Sequence, residues 1–246
     1  VQMADDGESP RYAMLETIRE FAEEQLVASD ELDAVADVHA NWCLALAERF
    51  SLALYLPGGD EMFRRLEIEH ANMRAALLWL DQRNDSGRLV RLVVALTGFW
   101  YAHSHYWEGR TWCERVLSTG AAGSSDAKVL VGLGRLLSFQ GELERAEELL
   151  ARGIATAQEH GDGVTTAAGL LRLAWNAGQR GEFDRADAHL NEVLVQAAAL
   201  EDPRIAAAIT GMALANLGLV ARWQGDLDTA RARHQQALQL GREHNY

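Results

Sequence analysis

Apolar residues recur along most of this chain at intervals of three and four, the period of a helix with one buried face. Leu15, Ile18, Phe21, Ala22 and Leu26 predict a helix over Leu15–Ala28. Val35, Val38, Trp42, Leu46 and Phe50 predict the apolar face of a second, running from Glu31 to about Leu54 with Asp30 as its N-cap. Pro57, Gly58 and Gly59 break it. Asp60 then caps a helix reaching about Arg83, with Phe63, Leu66, Met73, Leu77 and Leu80 on its face, and Asn84–Gly87 forms a turn. Ahead of these helices, Val1–Ala4 and Arg11–Met14 flank the turn residues of Asp5–Pro10, the pattern of a β-hairpin.

From Gly87 the pattern becomes regular. GELERAEELL, GEFDRADAHL and GDLDTARARH begin at Gly141, Gly181 and Gly225, and each reads Gly, acid, apolar, acid, any residue, Ala. Each phrase closes one helical pattern and opens another, so it marks a repeated helix–turn–helix unit. Four pairs follow: 87–103 with 107–118, 125–139 with 143–160, 164–179 with 183–200, and 203–223 with 227–243. Pro203 suits the first turn of its helix, where a missing N–H costs nothing. The glycine ends helix A in the left-handed conformation. The acid (Glu142, Glu182, Asp226) sits at the positive end of helix B. The alanine (Ala146, Ala186, Ala230) is small so that helix B can approach helix A. In the first pair Ser104 stands where the turn glycine would be, and Gly109 where the alanine would be.

These units resemble tetratricopeptide repeats. Leu133–Gly134 and Leu217–Gly218 match the Leu–Gly pair of helix A, and Ala174 replaces that glycine in the third unit. The glycines recur at steps of 40 and 44 residues, more than the about 34 of a minimal tetratricopeptide repeat, which implies helices one or two turns longer. The resemblance implies an all-α fold, a right-handed α-α superhelix of four pairs over residues 87–246. Segments of the N-terminal part, RYAMLETIREFAEEQL, VHANWCLALAE, LEIEHANMRAALLW and FWYAHSHYWEGRTWCERVL, resemble the region that follows the nucleotide-binding domain of bacterial STAND, or NB-ARC-like, transcriptional regulators of the LuxR and AfsR types. By that resemblance residues 1–28 are the remnant of a winged-helix module, 29–86 are linking helices, and the repeats are the sensor.

Composition narrows the function. The chain has 246 residues, 48% of them apolar, with 3 prolines, which permits long helices and a packed core. The net charge of −13 argues against direct nucleic-acid binding, which needs clustered Lys and Arg. No apolar run is read as reaching the roughly 18 residues of a membrane span. Cys43 and Cys113 lie in apolar helical patterns with no CxxC partner, as buried free thiols of a reducing cytosol do. The start at Val1, with no signal peptide, looks cut from something longer and cytoplasmic. No GxxxxGK[ST] phosphate loop is present, so the family's way of binding ATP is absent, as is a recognisable DNA-reading helix.

No catalytic constellation emerges, and neither cofactor nor metal is expected. His70 lies in LEIEHANMR without a second histidine four residues away, so the HExxH pattern is missing. His103 and His105 flank a turn and share no helix face. Trp100, Tyr101, Tyr106, Trp107 and Trp112 are either packing between the N-terminal helices and the first pair or the wall of a ligand pocket.

In a superhelix of such pairs helix A lines the concave face. Its register directs Arg91, Tyr101, Lys128, Arg135, Phe139, Arg172, Trp175, Gln179, Asn216, Arg222 and Trp223 into the groove. Arg beside exposed aromatics is typical of interaction hot spots, and Arg can hold a carboxylate or phosphate. The alternatives are that Trp175 and Trp223 pack between repeats and that the arginines solvate a helix. The expected partners are a protein segment or small effector in the groove and the nucleotide-binding domain of the same parent chain. A free-standing scaffold that docks peptides, or self-association through the repeats, is the other reading.

Overall fold

The computed structural model describes residues 2–5, 10–13, 15–120 and 125–244. It opens on an antiparallel hairpin, β1 (Gln2–Asp5) and β2 (Pro10–Ala13), with Gln2 opposite Ala13 and Asp5 opposite Pro10. The middle of the turn expected at Asp5–Pro10 lies outside the described residues. Every described element after the hairpin is a helix, and the all-α reading holds.

Three helices and a 3-10 turn separate α1 (Glu16–Ala28) from the first regular pair. They are α2 (Leu32–Phe50), the turn Ala53–Tyr55, α3 (Gly59–Ile68) and α4 (His70–Gln82). Two expected caps are displaced. Asp30 takes a left-handed conformation, φ 60°, in the turn before α2, where Glu31 is the N-cap. Gly58, also left-handed, precedes α3, and Asp60 lies in that helix's first turn. The single helix expected over 60–83 is two, broken at the buried Glu69.

The buried face of α2 also differs from the expected one. Val35, Val38 and Trp42 are exposed, and Ala40, Cys43, Leu44 and Ala47 are buried instead. Both sets have helical spacing. The small set wins because α2 packs closely on α4 and α5, where a thin side chain leaves room for the neighbouring helix. Leu15, Ile18, Phe21 and Val27 of α1 continue the exposed apolar surface.

The four pairs fall where the sequence places them, to within a residue or two at each end. They are α5 (Ser86–Ala102) with α6 (Tyr106–Ser118), α7 (Asp126–Phe139) with α8 (Leu143–Glu159), α9 (Gly163–Gln179) with α10 (Phe183–Ala198), and α11 (Pro203–Trp223) with α12 (Leu227–Glu243). Gly141, Gly181 and Gly225 have φ of 84°, 76° and 84°. Ser104 holds the same left-handed conformation at 62°, so the first unit keeps the turn without the glycine. Ala146, Ala186 and Ala230 are buried, as is Gly109. A Cβ on Gly109 would lie 2.8 Å from Leu136 Cδ1 and 3.0 Å from Trp100, which is why the smallest residue stands there.

Each pair packs on helix A of the next: α5 and α6 on α7, α7 and α8 on α9, α9 and α10 on α11. The linking helices obey the same rule, because α2 and α4 pack on one another and both on α5. They extend the stack by one pair. The inner row is therefore α2, α5, α7, α9 and α11, and the outer row α4, α6, α8, α10 and α12. Contrary to the sequence reading, one helix, Pro203–Gln224, is long and apolar enough to cross a membrane by length and composition. Half of that stretch is buried inside the array, where it serves as a core helix.

Candidate functional site

What sets the extra pair apart is its connector. Helix A and helix B of the later pairs are joined by a few residues around one left-handed residue, Ser104 in the first pair and a glycine in the others. In the α2–α4 pair the connector runs from Ser51 to Glu69 and contains the 3-10 turn and α3. Gly59 lets it fold tightly, since a Cβ there would lie 1.9 Å from the Ala53 carbonyl oxygen. The 3-10 turn reaches across the inner row and packs on α11. Tyr55 is buried in the core that Val131, Ala167 and Ile209 build between the later pairs.

The connector closes the groove into a cavity of about 410 Å³, lined by Leu54, Tyr55, Tyr101, Arg135, Phe139, Ala168, Leu171, Arg172, Trp175, Met212 and Asn216. Apart from the connector, every lining residue comes from an inner helix: α5, α7, α9 or α11. A second recess of about 260 Å³ continues past Arg135 to Lys128 and Asp162. The Lys128 ammonium lies 3.5 Å from the Asp162 carboxylate.

Six of the residues expected in the groove meet in the first cavity: Tyr101, Arg135, Phe139, Arg172, Trp175 and Asn216. Lys128 lines the second. The structure takes the other four elsewhere. Arg91 donates from Nε and Nη2 to the Glu48 carboxylate at 2.7 and 2.8 Å, because α2 lies alongside α5. Gln179 and Arg222 are exposed at the ends of their helices. Trp223 packs between repeats: its ring lies over Gly178 and meets Trp175 edge-on at 6.0 Å. Sequence reasoning missed Leu54 and Tyr55, which carry no local signal. It also missed Ala168, Leu171 and Met212, each one helical turn before a groove residue it did name.

The aromatic-dense stretch divides between its two readings. Trp100 is fully buried core, while Tyr101 lines the cavity, and Tyr101 and Tyr106 lie 5.2 and 5.3 Å from the Phe139 ring. Trp107 is exposed, with the Arg110 guanidinium 5.4 Å from its ring.

Electrostatics mark the cavity further. The Arg135 guanidinium lies 5.0 Å from the Tyr101 ring centroid, and that of Arg172 lies 5.7 Å from Tyr101 and 4.4 Å from Phe139. The Nε atoms of both are enclosed without a hydrogen-bond acceptor. Burial pulls the Arg172 guanidinium down to about 10, with Tyr101 favouring its charge and neighbouring Arg135 opposing it. It remains a cation at pH 7. Burial pushes the Tyr55 hydroxyl up, against the pull of Arg135 beside it.

Other chemistry is sparse among the described residues. Burial raises the Cys43 and Cys113 thiols to about 12, so neither is a nucleophile at neutral pH. The turn after α5 brings His103 and His105 together on one carboxylate: Glu67 Oε2 is 3.0 Å from His103 Nδ1 and 2.8 Å from His105 Nε2. Ligand atoms of Glu67, His70 and His105 all lie within 4.8 Å of one another, a donor set that could hold a divalent metal. In the structure these groups are already in contact with one another and with neighbouring carboxylates, His70 Nε2 lying 3.0 Å from Glu108.

Residues 210–245 match the family model described as tetratricopeptide repeat. The matched stretch covers most of the last helix pair, and the pairs before it repeat its helix–turn–helix geometry. A solved structure of BtubC from P. vanneervenii superposes on the array with a TM-score of 0.61 over 91% of this chain and 92% of that one; at 20% identity the likeness is one of fold. Proteins of Mycobacterium bovis and Mycobacterium tuberculosis, named as HTH-type transcriptional regulators, are 33% identical over 119 residues. That segment covers 47% of this chain and 13% of each relative, so the likeness to the regulators is partial.

Proposed function

We propose that this chain is the non-catalytic binding and sensing region of a cytoplasmic signalling ATPase that regulates transcription. The observation that carries this reading is the cavity: inner helices of successive repeats and the connector of the linking helices converge on one half-open recess. Its size falls in the range of small-molecule sites, roughly 300–1,000 Å³, and favours a small effector over a long peptide. The partial likeness to HTH-type regulators supports the regulatory context. So does the apolar stripe on α1 and α2, where Phe21, Val38 and Trp42 are the kind of surface a neighbouring domain covers.

In this mechanism the effector touches the repeats and the connector together. Binding biases how the linking helices sit against the array, and through them the nucleotide-binding domain. Such control works only through differential affinity for two arrangements. The test is genomic. A phosphate loop encoded upstream of Val1 in the same reading frame is expected, and an upstream region that lacks one sinks the sensor reading.

The last pair supports self-association as a second reading. Ala207, Gly211 and Ala215 of α11 and Ala237 and Leu238 of α12 line an apolar recess of about 350 Å³. Light scattering over a concentration series is the measurement, and a strict monomer removes this reading.

A further inference from the structure

We propose that the cavity takes a small organic anion, a carboxylate or phosphate monoester on a flat apolar body, seated between Arg135 and Arg172. This rests on the reading of the groove as a binding site and names the ligand's chemistry.

The argument starts from charge. The chain carries 36 acidic residues against 23 basic ones, yet neither cavity arginine has a carboxylate partner among the described residues. Their neighbours are aromatic: Tyr101 lies beside both and Phe139 beneath Arg172. Enclosed Nε–H groups with no acceptor are costly in a folded protein. Two like charges flanking one ring add to that cost. A bound anion removes both at once, because a guanidinium presents paired donors that fit a carboxylate or phosphate.

The walls specify the rest of the ligand. Tyr101, Phe139 and Trp175 offer ring faces, and Leu54 and Met212 offer apolar contact. Besides the arginines, the polar groups of the lining are the Tyr55 and Tyr101 hydroxyls, the Trp175 indole N–H and the Asn216 amide; the two hydroxyls lie beside the arginines, and the Asn216 amide already donates to the Met212 carbonyl at 2.8 Å. The complementary molecule is therefore anionic at one end and flat and apolar at the other. Because Leu54 and Tyr55 belong to the connector, the ligand also clamps that segment to the repeats.

Calorimetric titration of the chain with 2-naphthoate, 2-naphthyl phosphate and neutral 2-naphthol tests this. At least one anion is expected to bind at least tenfold more tightly than the neutral compound, and the stronger arm tells carboxylate from phosphate. Arg172→Met should weaken anion binding at least tenfold while raising the Tm of the free protein by about 2 °C, since it removes an unmatched buried charge. Arg91→Met, outside the cavity, should leave binding unchanged. Hydrogen exchange of the Tyr55 and Leu56 amides should slow when the anion binds. Equal binding of the neutral and charged compounds overturns the anion assignment and leaves the groove standing as a binding site. Absence of binding by every probe overturns it as well, while the phosphate-loop test still decides the sensor reading. An Arg172→Met protein that loses stability and binds normally makes Arg172 a packing residue. Unchanged exchange at Tyr55 and Leu56 removes the clamp.

Discussion

The outer row of helices and the cavity on the inner row use arginine in opposite ways. Along the outer row the three seams from α4 to α10 are each bridged by an arginine and an acid. Arg115 reaches Asp81 at 2.9 Å and Arg74 reaches Glu108 at 2.5 Å, joining α4 to α6. Arg145 reaches Glu114 at 2.8 Å between α6 and α8, and Arg185 reaches Glu147 at 3.3 Å between α8 and α10. Along the inner row Arg88 and Arg91 of α5 still pair with Asp37 and Glu48 of α2, but Arg135 and Arg172 face rings and a cavity. The contrast separates two jobs. Outer pairs are part-exposed and add little energy each, but they set the register in which one pair stacks on the next. The cavity arginines lower stability until something negative arrives. Positions that oppose folding in a well-packed array are where function is expected.

The largest effect concerns what else holds the inner row. Trp223 closes the contact between the third and fourth pairs by lying across Gly178, whose Cβ would sit 2.3 Å from the ring. Trp223→Ala should lower stability by about 3 kcal/mol, measured by urea unfolding. Trp175→Ala, which removes a ring from the cavity wall, should cost less and affect binding instead. Equal losses would mean that both tryptophans are packing, and the inner row would lose its claim to be different.

How much of this was legible in the sequence depends on the range of the interaction that fixes each feature. The turns were legible because a left-handed residue is a local demand: Gly141, Gly181 and Gly225 announce it, and Ser104 could be placed by analogy with them. The groove side of helices α7, α9 and α11 was legible because helical register relates it to the turn glycine. Arg91 was misplaced for the complementary reason. The register was right, but α2 continues the inner row beside α5 and brings Glu48 to it. The face of α2 was ambiguous because two stripes share one period, and only packing on α4 and α5 selects the small one. Tyr55 was not legible at all. Its place is set by contact with α11, some 150 residues further along the chain, and the local PGG signal says only that a helix stops.

One substitution made at a paired and at an unpaired arginine of the same helix tests the contrast directly. Arg180, at the end of α9, donates to Glu147 at 2.9 Å and to Glu144 at 3.2 Å on α8. Arg180→Met leaves Glu147, a largely buried carboxylate, with one fewer partner, and should cost about 1 kcal/mol. Arg172→Met in the cavity should stabilise by about 1 kcal/mol. The pair of signs is the prediction. Two losses of similar size in thermal unfolding would show that buried position, and not the missing counter-charge, determines what an arginine contributes here.

The smallest effect separates the rows by their response to salt. Glu147 is shared by Arg180 and Arg185, so Glu147→Gln removes the charge at the centre of the α8–α10 seam and keeps its shape. At low ionic strength the loss should be about 0.5 kcal/mol. In 1 M salt, where the Debye length falls to about 3 Å, most of it should vanish because the ion pairs were already screened. Arg172→Met lacks an ion pair to screen, and its gain should persist in a salt such as sodium chloride, whose anion has no flat apolar body for the ring walls to hold. Urea unfolding of both variants at low and high salt gives the comparison. A Glu147→Gln loss that survives 1 M salt would mean that hydrogen-bond geometry, not charge, holds the outer seam. The outer row would then owe its register to shape, as the inner row does at Trp223 and Gly178.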